Sequence, residues 1–368
     1  MSEIPRSCRA AVLVKYGAPL ELQEVPVPEV EPEGLLVRTE MAGVCGTDVH
    51  IWKGHLTAHL PAILGHETIG RIVALGSAIR QDATGAPLAQ GDRVIWTHVS
   101  CGKCFWCRLA GQGNICPHRR MYAYSSCEQP PYLLGGFAEY VYVLPGAGVV
   151  RIPDGVTNEE VVGACCALRS VVRGFERLGG LDTESSVVVQ GSGPVGLYAA
   201  LVARVRGAGE VIVVGAPARR LGLATRWGAD RVISIEEIPD AAERAALVRS
   251  LTGGRGPDVV VECSGAPTAF SEGLEMIRPG GRYLMFGPVG GPPTTVNTPL
   301  IVRKDLVIVA SSSAEVPSYV KAVQLVSHQR DRYPLGEIVS SVYALEDADD
   351  ALQAMARQEA IKAVIVPR

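Results

Sequence analysis

Short apolar runs separated by glycine, proline and polar residues fill the first 150 positions of the chain. Valine, isoleucine and other strand-favouring residues dominate these runs, and turn-forming residues bound each of them. The pattern predicts short antiparallel strands in a small, barrel-like β domain. The strand candidates are AAVLVKYG, LLVRTEMAGV, TIGRIVALG, DRVIWTHV and AEYVYVLP.

From about Asn158 the pattern changes, because apolar runs now alternate with longer windows that have helical periodicity. Strands that alternate with helices predict βαβ crossovers and a parallel, doubly wound sheet. Six strand candidates are present, the number that two mononucleotide-binding halves require. They are VVVQG, VIVVG, RVISI, DVVVECSG, RYLMFG and LVIVASS, separated by helical windows such as GLYAALVARVRGAG, RRLGLATRWGA and TAFSEGLEMIRPG.

The tail beyond about Ser312 combines both patterns. It carries a helical window, YVKAVQLVSH, then a strand candidate, SSVYAL, a second helix, DADDALQAMAR, and a last strand, AVIVP. We expect this tail to return to the first domain. No internal repeat is evident, and residues 83–89 are interpreted as a turn or loop.

Length and composition favour a two-domain protein in the cytoplasm. A chain of 368 residues exceeds the size of a single core, and a formal charge of -3 offers no electrostatic footprint for nucleic acid. The N-terminus lacks the pattern of a secretory signal, and no apolar run is long enough to cross a membrane. We therefore expect a soluble cytoplasmic protein, in which the ten cysteines serve metal binding or catalysis.

The stretch VVVQGSGPVG has the glycine pattern of a dinucleotide-binding turn, and it includes Pro194 and Val195. Gly191 would make the turn, Gly193 would let the pyrophosphate approach, and Gly196 would let the helix pack on the strand. The N-terminus of that helix would hold the anion. A glycine-rich turn formed for steric reasons alone is the alternative.

Four cysteines in CGKCFWCRLAGQGNIC predict a metal site: Cys101, Cys104, Cys107 and Cys116. Three thiols at every third position, followed by a fourth after a glycine-containing loop, can enclose one tetrahedral zinc ion. Because four thiolates leave no open position, such a site would be structural. A set of buried or redox-active thiols is the alternative, but the regular spacing favours zinc.

A second set of possible ligands is spread over the chain. Cys45 lies in GVCGTDVH, His66 and Glu67 lie in LGHETIG, and Cys166 lies in GACCALRS. Two cysteines and one histidine would leave a fourth position open, as in a catalytic zinc site. Each residue also has a plain structural interpretation, since His66 could be a core histidine and the cysteines small buried residues. The spacing alone does not select them.

The order of these motifs resembles the zinc-containing medium-chain alcohol dehydrogenases, from about residue 10 to the C-terminus. The resemblance implies a GroES-like catalytic domain of residues 1–166 and 312–368, and a Rossmann domain of residues 167–311. It implies a catalytic zinc bound by Cys45, His66 and Cys166, with Glu67 as a transient ligand or an orienting residue. Cys166 stands 25 residues before Gly191, as the third ligand does in the family, so Cys165 is assigned to packing.

The same resemblance implies a path for protons. Asp48 would accept the remaining ring N–H of His66 and fix its tautomer, although an Asp at this position could also simply cap local N–H groups. Thr47 and His50 would carry the proton of the alcohol to the surface. A solvated loop histidine is the alternative for His50.

Two departures from the family pattern concern the metals and the cofactor. Cys116 follows Cys107 by nine positions instead of eight, a difference that the glycine-containing loop can absorb, so two zinc ions per chain are expected. The Asp that holds the ribose in NAD-preferring relatives is replaced by Gly215, and Arg219 and Arg220 follow. The absence of this Asp and the presence of the two arginines favour NADP over NAD as the cofactor. The alternative is that Arg220 is only a basic residue at a helix start.

Further positions complete the expected sites. Lys362 aligns with a basic residue that reaches the pyrophosphate in relatives, although a solvated strand-edge lysine is the alternative. Ser170 and Val289 would line the nicotinamide site, and the substrate pocket would be bordered by analogy by Trp52, His55 and residues 96–98. A homodimer or homotetramer is expected from the habit of the family, with no nucleic-acid or membrane partner.

The sequence therefore predicts an NADP(H)-preferring, zinc-dependent alcohol dehydrogenase or carbonyl reductase. Its substrate would be a primary or secondary alcohol, a polyol or the corresponding carbonyl compound. The alternatives are an NAD-dependent polyol, sorbitol-type or threonine-type dehydrogenase of the same family, a zinc-free quinone or enone reductase, and a non-catalytic protein that binds the cofactor.

Overall fold

A computed structural model describes residues 4–287 and 293–367. The chain divides into two compact units. The first unit runs up to Cys166 and includes Ser313–Arg330 and the segment from Leu335 onward, and the second comprises Ala167–Ser312 and Asp331–Pro334.

The strands are β1 (Ser7–Leu13), β2 (Glu21–Pro26), β3 (Leu35–Gly43), β4 (Ala62–Ile63), β5 (Glu67–Leu75), β6 (Arg93–Trp96), β7 (Tyr140–Val143), β8 (Val149–Arg151), β9 (Ser186–Gln190), β10 (Glu210–Gly215), β11 (Arg231–Ser234), β12 (Val259–Glu262), β13 (Arg282–Met285), β14 (Val307–Ala310), β15 (Val339–Tyr343) and β16 (Lys362–Ile365). The helices are α1 (Gly46–Trp52), α2 (Phe105–Arg108), α3 (Asn158–Val161), α4 (Ala167–Leu178), α5 (Pro194–Val205), α6 (Ala218–Arg226), α7 (Ala241–Leu251), α8 (Ala269–Met276), α9 (Thr298–Arg303), α10 (Val316–Gln329) and α11 (Ala348–Ala356).

The first unit is built on two β-sheets. One has the strand order β2-β1-β4, and the other has the order β15-β16-β3-β5-β6-β8 with β7 also paired to β3. Strands β3 and β5 pair antiparallel, with Gly43 opposite Glu67. The tail contributes β16, which pairs antiparallel with β3 and parallel with β15. The chain's last strand therefore lies next to the segment in which Cys45 and Glu67 are found.

The core of the first unit is continuous and apolar. Leu35, Val37, Ile72 and Phe137 are buried in it, and α11 adds Leu352 to the same cluster. The antiparallel strands predicted for the first 150 residues are present. Strand β1 is buried over most of its length, whereas β2 at the edge of the same sheet is mostly exposed.

The second unit is a six-stranded parallel sheet with the order β11-β10-β9-β12-β13-β14. All its neighbouring strands pair parallel, and the order reverses at β9, the strand that leads into the glycine turn. Strands β9, β10 and β12 are almost wholly buried because the sheet is covered by helices on its faces. The predicted α/β class with a doubly wound sheet is confirmed.

Candidate functional site

Four potential metal ligands converge in the first unit. The ligand atoms of Cys45, His66, Glu67 and Cys166 all lie within 4.8 Å of one another. Cys45 is the N-cap residue of α1, His66 precedes β5, and Glu67 is the first residue of β5. Cys166 follows a short 3₁₀ turn and directly precedes α4. The structure thus brings together the four residues that the sequence predicted for the catalytic metal.

Asp48 holds two of the ligand segments in place. One of its carboxylate oxygens accepts the backbone N–H of Cys45 at 2.8 Å, which closes a capping box at the start of α1. The other accepts the backbone N–H of Gly65 at 3.0 Å. Gly65 has a φ of +87°, and a Cβ there would lie 2.5 Å from the ring of Phe137. The segment before His66 is therefore fixed by a buried carboxylate and by a glycine that cannot be replaced without displacement.

The contact between Asp48 and His66 differs from the predicted hydrogen bond. Nδ1 of His66 lies 3.6 Å from Oδ1 of Asp48, beyond an ordinary hydrogen bond, while each carboxylate oxygen accepts one backbone amide. The two side chains are nevertheless buried against each other. Burial alone would lower the pKa of His66, but the Asp48 carboxylate and the Cys166 sulfur raise it overall.

The donor set fits a soft divalent cation. A hydrogen bond with Cys166, followed by burial, raises the pKa of Cys45 to about 11. A bound cation acts in the opposite direction, since metal ligands bind as thiolates. In the described part of the chain, Oε1 of Glu67 is buried without a hydrogen-bond partner, so it could turn to such an ion. Two sulfurs, one imidazole and a nearby carboxylate suit zinc.

The neighbouring thiols Cys165 and Cys166 have different surroundings. The Cys165 side chain is buried, and its sulfur lies 3.6 Å from the carbonyl oxygen of Thr68. Only Cys166 belongs to the ligand cluster. This separation matches the assignment of Cys165 to packing.

Lys362, which was expected to reach the pyrophosphate, is buried in the structure. Its side chain is 3% exposed, and Nζ donates to Oε2 of Glu67 at 2.7 Å and to the carbonyl oxygen of Val44 at 3.2 Å. The alternative of a solvated strand-edge lysine is wrong, because the side chain is buried. Because β16 pairs with β3, the side chain of Lys362 lies inside the first unit beside the carboxylate of Glu67. A buried carboxylate requires a cation as its partner.

The second cysteine cluster forms a compact lobe around α2. Sγ of Cys104 lies 3.5 Å from Sγ of Cys107 and 3.7 Å from Sγ of Cys116. Sγ of Cys101 lies 3.9 Å from Sγ of Cys107, and all four ligand atoms are within 4.8 Å of one another. The additional residue before Cys116 is accommodated in a loop that contains a 3₁₀ turn, Gly113–Ile115. The extended spacing therefore still closes a four-sulfur cluster.

Thr47 and His50 lie on α1, downstream of Cys45. Both are half-buried. Nδ1 of His50 lies 3.2 Å from Nδ1 of His55, which is exposed. Burial, followed by the charges of His55 and Lys53, lowers the pKa of His50. The His50 imidazole is therefore neutral near pH 7 and readily releases a proton that it takes up.

Tyr124 is a residue near the ligand cluster that was not predicted from the sequence. It is half-buried, and burial raises its pKa, while His66 and Asp48 act on it through their charges. Tyr124 follows Ala123, which adopts a left-handed φ of +73°. Neither the approach of this loop to the ligand cluster nor that backbone conformation has a signal in the sequence.

The glycine turn after β9 has the geometry that the sequence predicted. Gly191 has a φ of +107°, and a Cβ on Gly196 would lie 1.9 Å from the carbonyl oxygen of Gly191. Gly193 is the N-cap of α5, and a Cβ there would meet no heavy atom within 4 Å. Pro194 and Val195 begin the helix. The turn therefore combines a tight bend, a helix packed closely on it, and open space where a phosphate can approach.

Gly215 ends β10 beside this turn. A Cβ on Gly215 would lie 2.6 Å from Oγ of Ser192, so the close approach explains why glycine stands there. Ser192 Oγ also donates to the carbonyl oxygen of Ala216 at 2.7 Å. Arg219 is exposed, whereas Arg220 is buried, and burial followed by the charge of Arg219 lowers its pKa. The two arginines are therefore not equivalent.

Two remaining residues concern the expected nicotinamide site. Ser170 is half-buried on α4, and Val289 lies outside the described residues. In the described part of the chain, no helix is both long and apolar enough to cross a membrane.

Comparisons with known proteins agree with the geometry. Residues 31–154 match the family model "Alcohol dehydrogenase GroES-like domain", and residues 194–328 match "Zinc-binding dehydrogenase". The chain is 36% identical over 360 residues to a 5-exo-hydroxycamphor dehydrogenase of Pseudomonas putida, an alignment that covers 97% of this chain and 98% of the relative.

Solved structures agree in fold. An alcohol dehydrogenase from Thermotoga maritima superposes with a TM-score of 0.92 at 30% identity, covering 98% of this chain and 100% of that chain. A zinc-binding dehydrogenase from Sinorhizobium meliloti 1021, bound to NADP, gives a TM-score of 0.85 at 27% identity, covering 98% and 99%. A GroES-like unit, a doubly wound sheet and a relative aligned over nearly its whole length show that this chain belongs to the zinc-dependent medium-chain alcohol dehydrogenase family.

Proposed function

We propose that the protein is a zinc-dependent alcohol dehydrogenase that interconverts an alcohol and its carbonyl compound with NADP(H) in preference to NAD(H). The observation that carries this proposal is the convergence of Cys45, His66, Glu67 and Cys166 within 4.8 Å. Membership of the family supports oxidoreductase activity. The residues of the two units support the proposed metal ligands, proton path and cofactor preference.

Cys45, His66 and Cys166 would hold the catalytic ion, with Glu67 available as a fourth, exchangeable ligand. Zinc at this position would act as a Lewis acid that lowers the pKa of the substrate alcohol or polarises its carbonyl group. Asp48 keeps the ligands in place through the backbone amides of Cys45 and Gly65. A structural ion would be held by the cluster of Cys101, Cys104, Cys107 and Cys116.

Thr47 and His50 would move the proton. In alcohol oxidation, the Thr47 hydroxyl accepts the proton of the alcohol and passes its own toward His50, whose imidazole is neutral above its lowered pKa. In carbonyl reduction the same groups return a proton to the product. The nicotinamide cofactor would accept or supply the hydride.

Gly191, Gly193 and Gly196 would hold the pyrophosphate of the cofactor at the start of α5. The exposed Arg219 and the absence of a carboxylate at Gly215 support recognition of a 2′-phosphate, since a guanidinium can bind phosphate with two hydrogen bonds. The NADP-bound relative supports the same preference. Ser170 and Val289 are proposed to border the nicotinamide.

The substrate is proposed to be a primary or secondary alcohol or a polyol. The P. putida relative is described as acting on 5-exo-hydroxycamphor, so a cyclic secondary alcohol is a reasonable first substrate for this chain. A reducing compartment would keep the six cysteine ligands reduced, and we therefore propose a cytoplasmic location.

A homodimer or homotetramer is proposed for the assembly. Strand β14 lies at the edge of its sheet, and Val307 and Ile308 are 55% and 37% exposed. An apolar edge strand is prone to pair with a second copy. Sedimentation velocity across a concentration series checks this, and a monomer at every concentration would contradict it.

The decisive experiment combines a substrate panel with metal analysis. The purified protein is assayed with NADP and NAD against primary and secondary alcohols, 5-exo-hydroxycamphor, sorbitol and L-threonine, before and after zinc is removed by a chelator. We expect about two zinc ions per chain, a kcat/KM ratio above one for NADP over NAD, and loss of turnover with the chelator. Activity that persists without zinc would instead indicate a zinc-free reductase. Binding of cofactor without reduction by any alcohol would indicate a non-catalytic protein.

A further inference from the structure

The end of helix α1 places two histidines against each other. The backbone N–H of His55 donates to the carbonyl oxygen of His50 at 2.9 Å, and the N–H of Gly54 donates to the carbonyl oxygen of Ile51 at 2.8 Å. Gly54 has a φ of +73°. These are the two hydrogen bonds and the left-handed glycine of a Schellman motif, a helix ending that brings the residues five positions apart into side-chain contact.

In this chain both residues in contact carry imidazoles. Their Nδ1 atoms are 3.2 Å apart, and the ring centroids are 5.5 Å apart. One ring must therefore donate its Nδ1–H to the unprotonated Nδ1 of the other. His50 is half-buried, whereas His55 is exposed. The pair thus joins an inner imidazole to one that water can reach.

We propose that His50 and His55 form a two-histidine proton port, in which His55 is the outer relay through which His50 exchanges protons with solvent. This inference rests on the proposed role of His50 in alcohol oxidation, and it adds a residue that acts through His50. In this role His55 does not touch the substrate or the cofactor, which sets aside the expectation that it borders the substrate pocket.

The proton balance of the port is simple. His50, with its proton on Nδ1, accepts the incoming proton at Nε2 and gives the Nδ1 proton to Nδ1 of His55. His55 is then an imidazolium and releases the proton on its Nε2 to water or to a buffer base. One proton enters and one leaves, and both rings end neutral with exchanged tautomers. Exchange of both rings with solvent restores the first arrangement, and carbonyl reduction runs the sequence in reverse.

The charges around the two histidines favour rapid release of a proton from His50. The groups that act on His50 are His55, Lys53 at the C-cap of α1 and Cys45 at its N-cap. The first two disfavour a proton held on His50, and Cys45 acts in the opposite direction with the smallest effect of the three.

The first test uses NMR titration of the histidine rings and does not depend on turnover. The purified protein is compared with the variants His55→Ala and His59→Ala, His59 being a second exposed histidine four positions further on. We expect His50 to titrate at a higher pH in His55→Ala, because a neighbouring positive charge is lost, and to be unchanged in His59→Ala. An identical His50 titration curve in all three proteins would overturn the proposal.

The second test measures alcohol oxidation in dilute buffer. We expect His55→Ala to lower kcat by about tenfold, with KM unchanged, and added imidazole to restore much of the rate. His59→Ala should keep the parental rate. If the parent enzyme turns over and His55→Ala is equally fast without imidazole, the proton port is wrong although the proposed function stands. If no alcohol is oxidised by the parent, the proposed function fails while the titration still tests the pair.

Discussion

Nζ of Lys362 lies 2.7 Å from Oε2 of Glu67, and the two residues are 295 positions apart in the chain. Both side chains are at most 3% exposed. Burial raises the pKa of Glu67 to about 6, although Lys362 acts to lower it. The strand at the end of the chain therefore supplies the cation for a carboxylate beside the proposed metal site.

Replacing Lys362 by Met should destabilise the protein, because it leaves the Glu67 carboxylate buried without its partner. We expect the free energy of unfolding to fall by about 3–5 kcal/mol in urea titrations. The double variant Glu67→Gln, Lys362→Met should recover most of that loss. Unchanged stability together with a weaker NADPH affinity would instead support a contact of Lys362 with the pyrophosphate.

Cys166 and Cys165 provide a matched pair for the metal assignment. Cys166→Ser should remove one zinc per chain and abolish turnover while the protein remains folded, since it takes a ligand from the catalytic cluster. Cys165→Ala should keep both zinc ions and the parental activity, at a cost of about 1 kcal/mol in packing. Metal analysis and circular dichroism of the two variants check this. Full activity in Cys166→Ser would refute the assignment.

Arg219 should carry the discrimination between cofactors, because it is exposed near the end of β10 whereas Arg220 is buried. Arg219→Gln should lower kcat/KM for NADP by about tenfold or more, corresponding to the loss of about 1.5–3 kcal/mol from a hydrogen bond to a charged group, and leave kcat/KM for NAD nearly unchanged. Equal losses for both cofactors would show that Arg219 does not read the 2′-phosphate.

Asp258 should make the second unit sensitive to acid. It accepts the backbone N–H and the hydroxyl of Ser186 at 2.8 and 2.7 Å, and it pairs with Arg278 at 2.6 Å. Burial would raise its pKa, but these contacts lower it overall. A folded-state pKa below the unfolded value stabilises the protein above the unfolded value, near 3.8, and this contribution is lost as the pH falls through the folded value.

We therefore expect Asp258→Asn to cost about 1–3 kcal/mol at pH 7, with the difference from the parent shrinking in acid. Asp154→Asn, a change at a side chain that is 95% exposed, is the matched control and should have little effect. Urea titrations between pH 7 and pH 3 measure both. A difference that grows as the pH falls would contradict the expected sign.

The strongly periodic segments could be predicted from sequence because their signal is local. The apolar runs that became β9, β10 and β12 are buried on both faces, and such strands read as continuous hydrophobic segments. The short helix α9 was not predicted, since six residues carry too little periodicity to be recognised.

The environment of individual polar residues could not be predicted in the same way. The residues next to Lys362 in the sequence do not indicate whether its side chain is exposed or buried. The pairing of β16 with β3 determines this, because it places the ammonium group of Lys362 beside Glu67. Likewise, the sequence did not indicate that Asp48 accepts the backbone N–H of Gly65, which lies 17 positions further along the chain.

The sequence by itself determined the parts of this protein that close over short distances along the chain. The glycine turn and the four-cysteine lobe each depend on residues within one short stretch of the chain, so spacing and backbone preference are sufficient. Only the tertiary structure decided which distant side chains meet. Cys45, His66 and Cys166 converge, and Lys362 is buried beside them, because long-range strand pairing and core packing position their backbones.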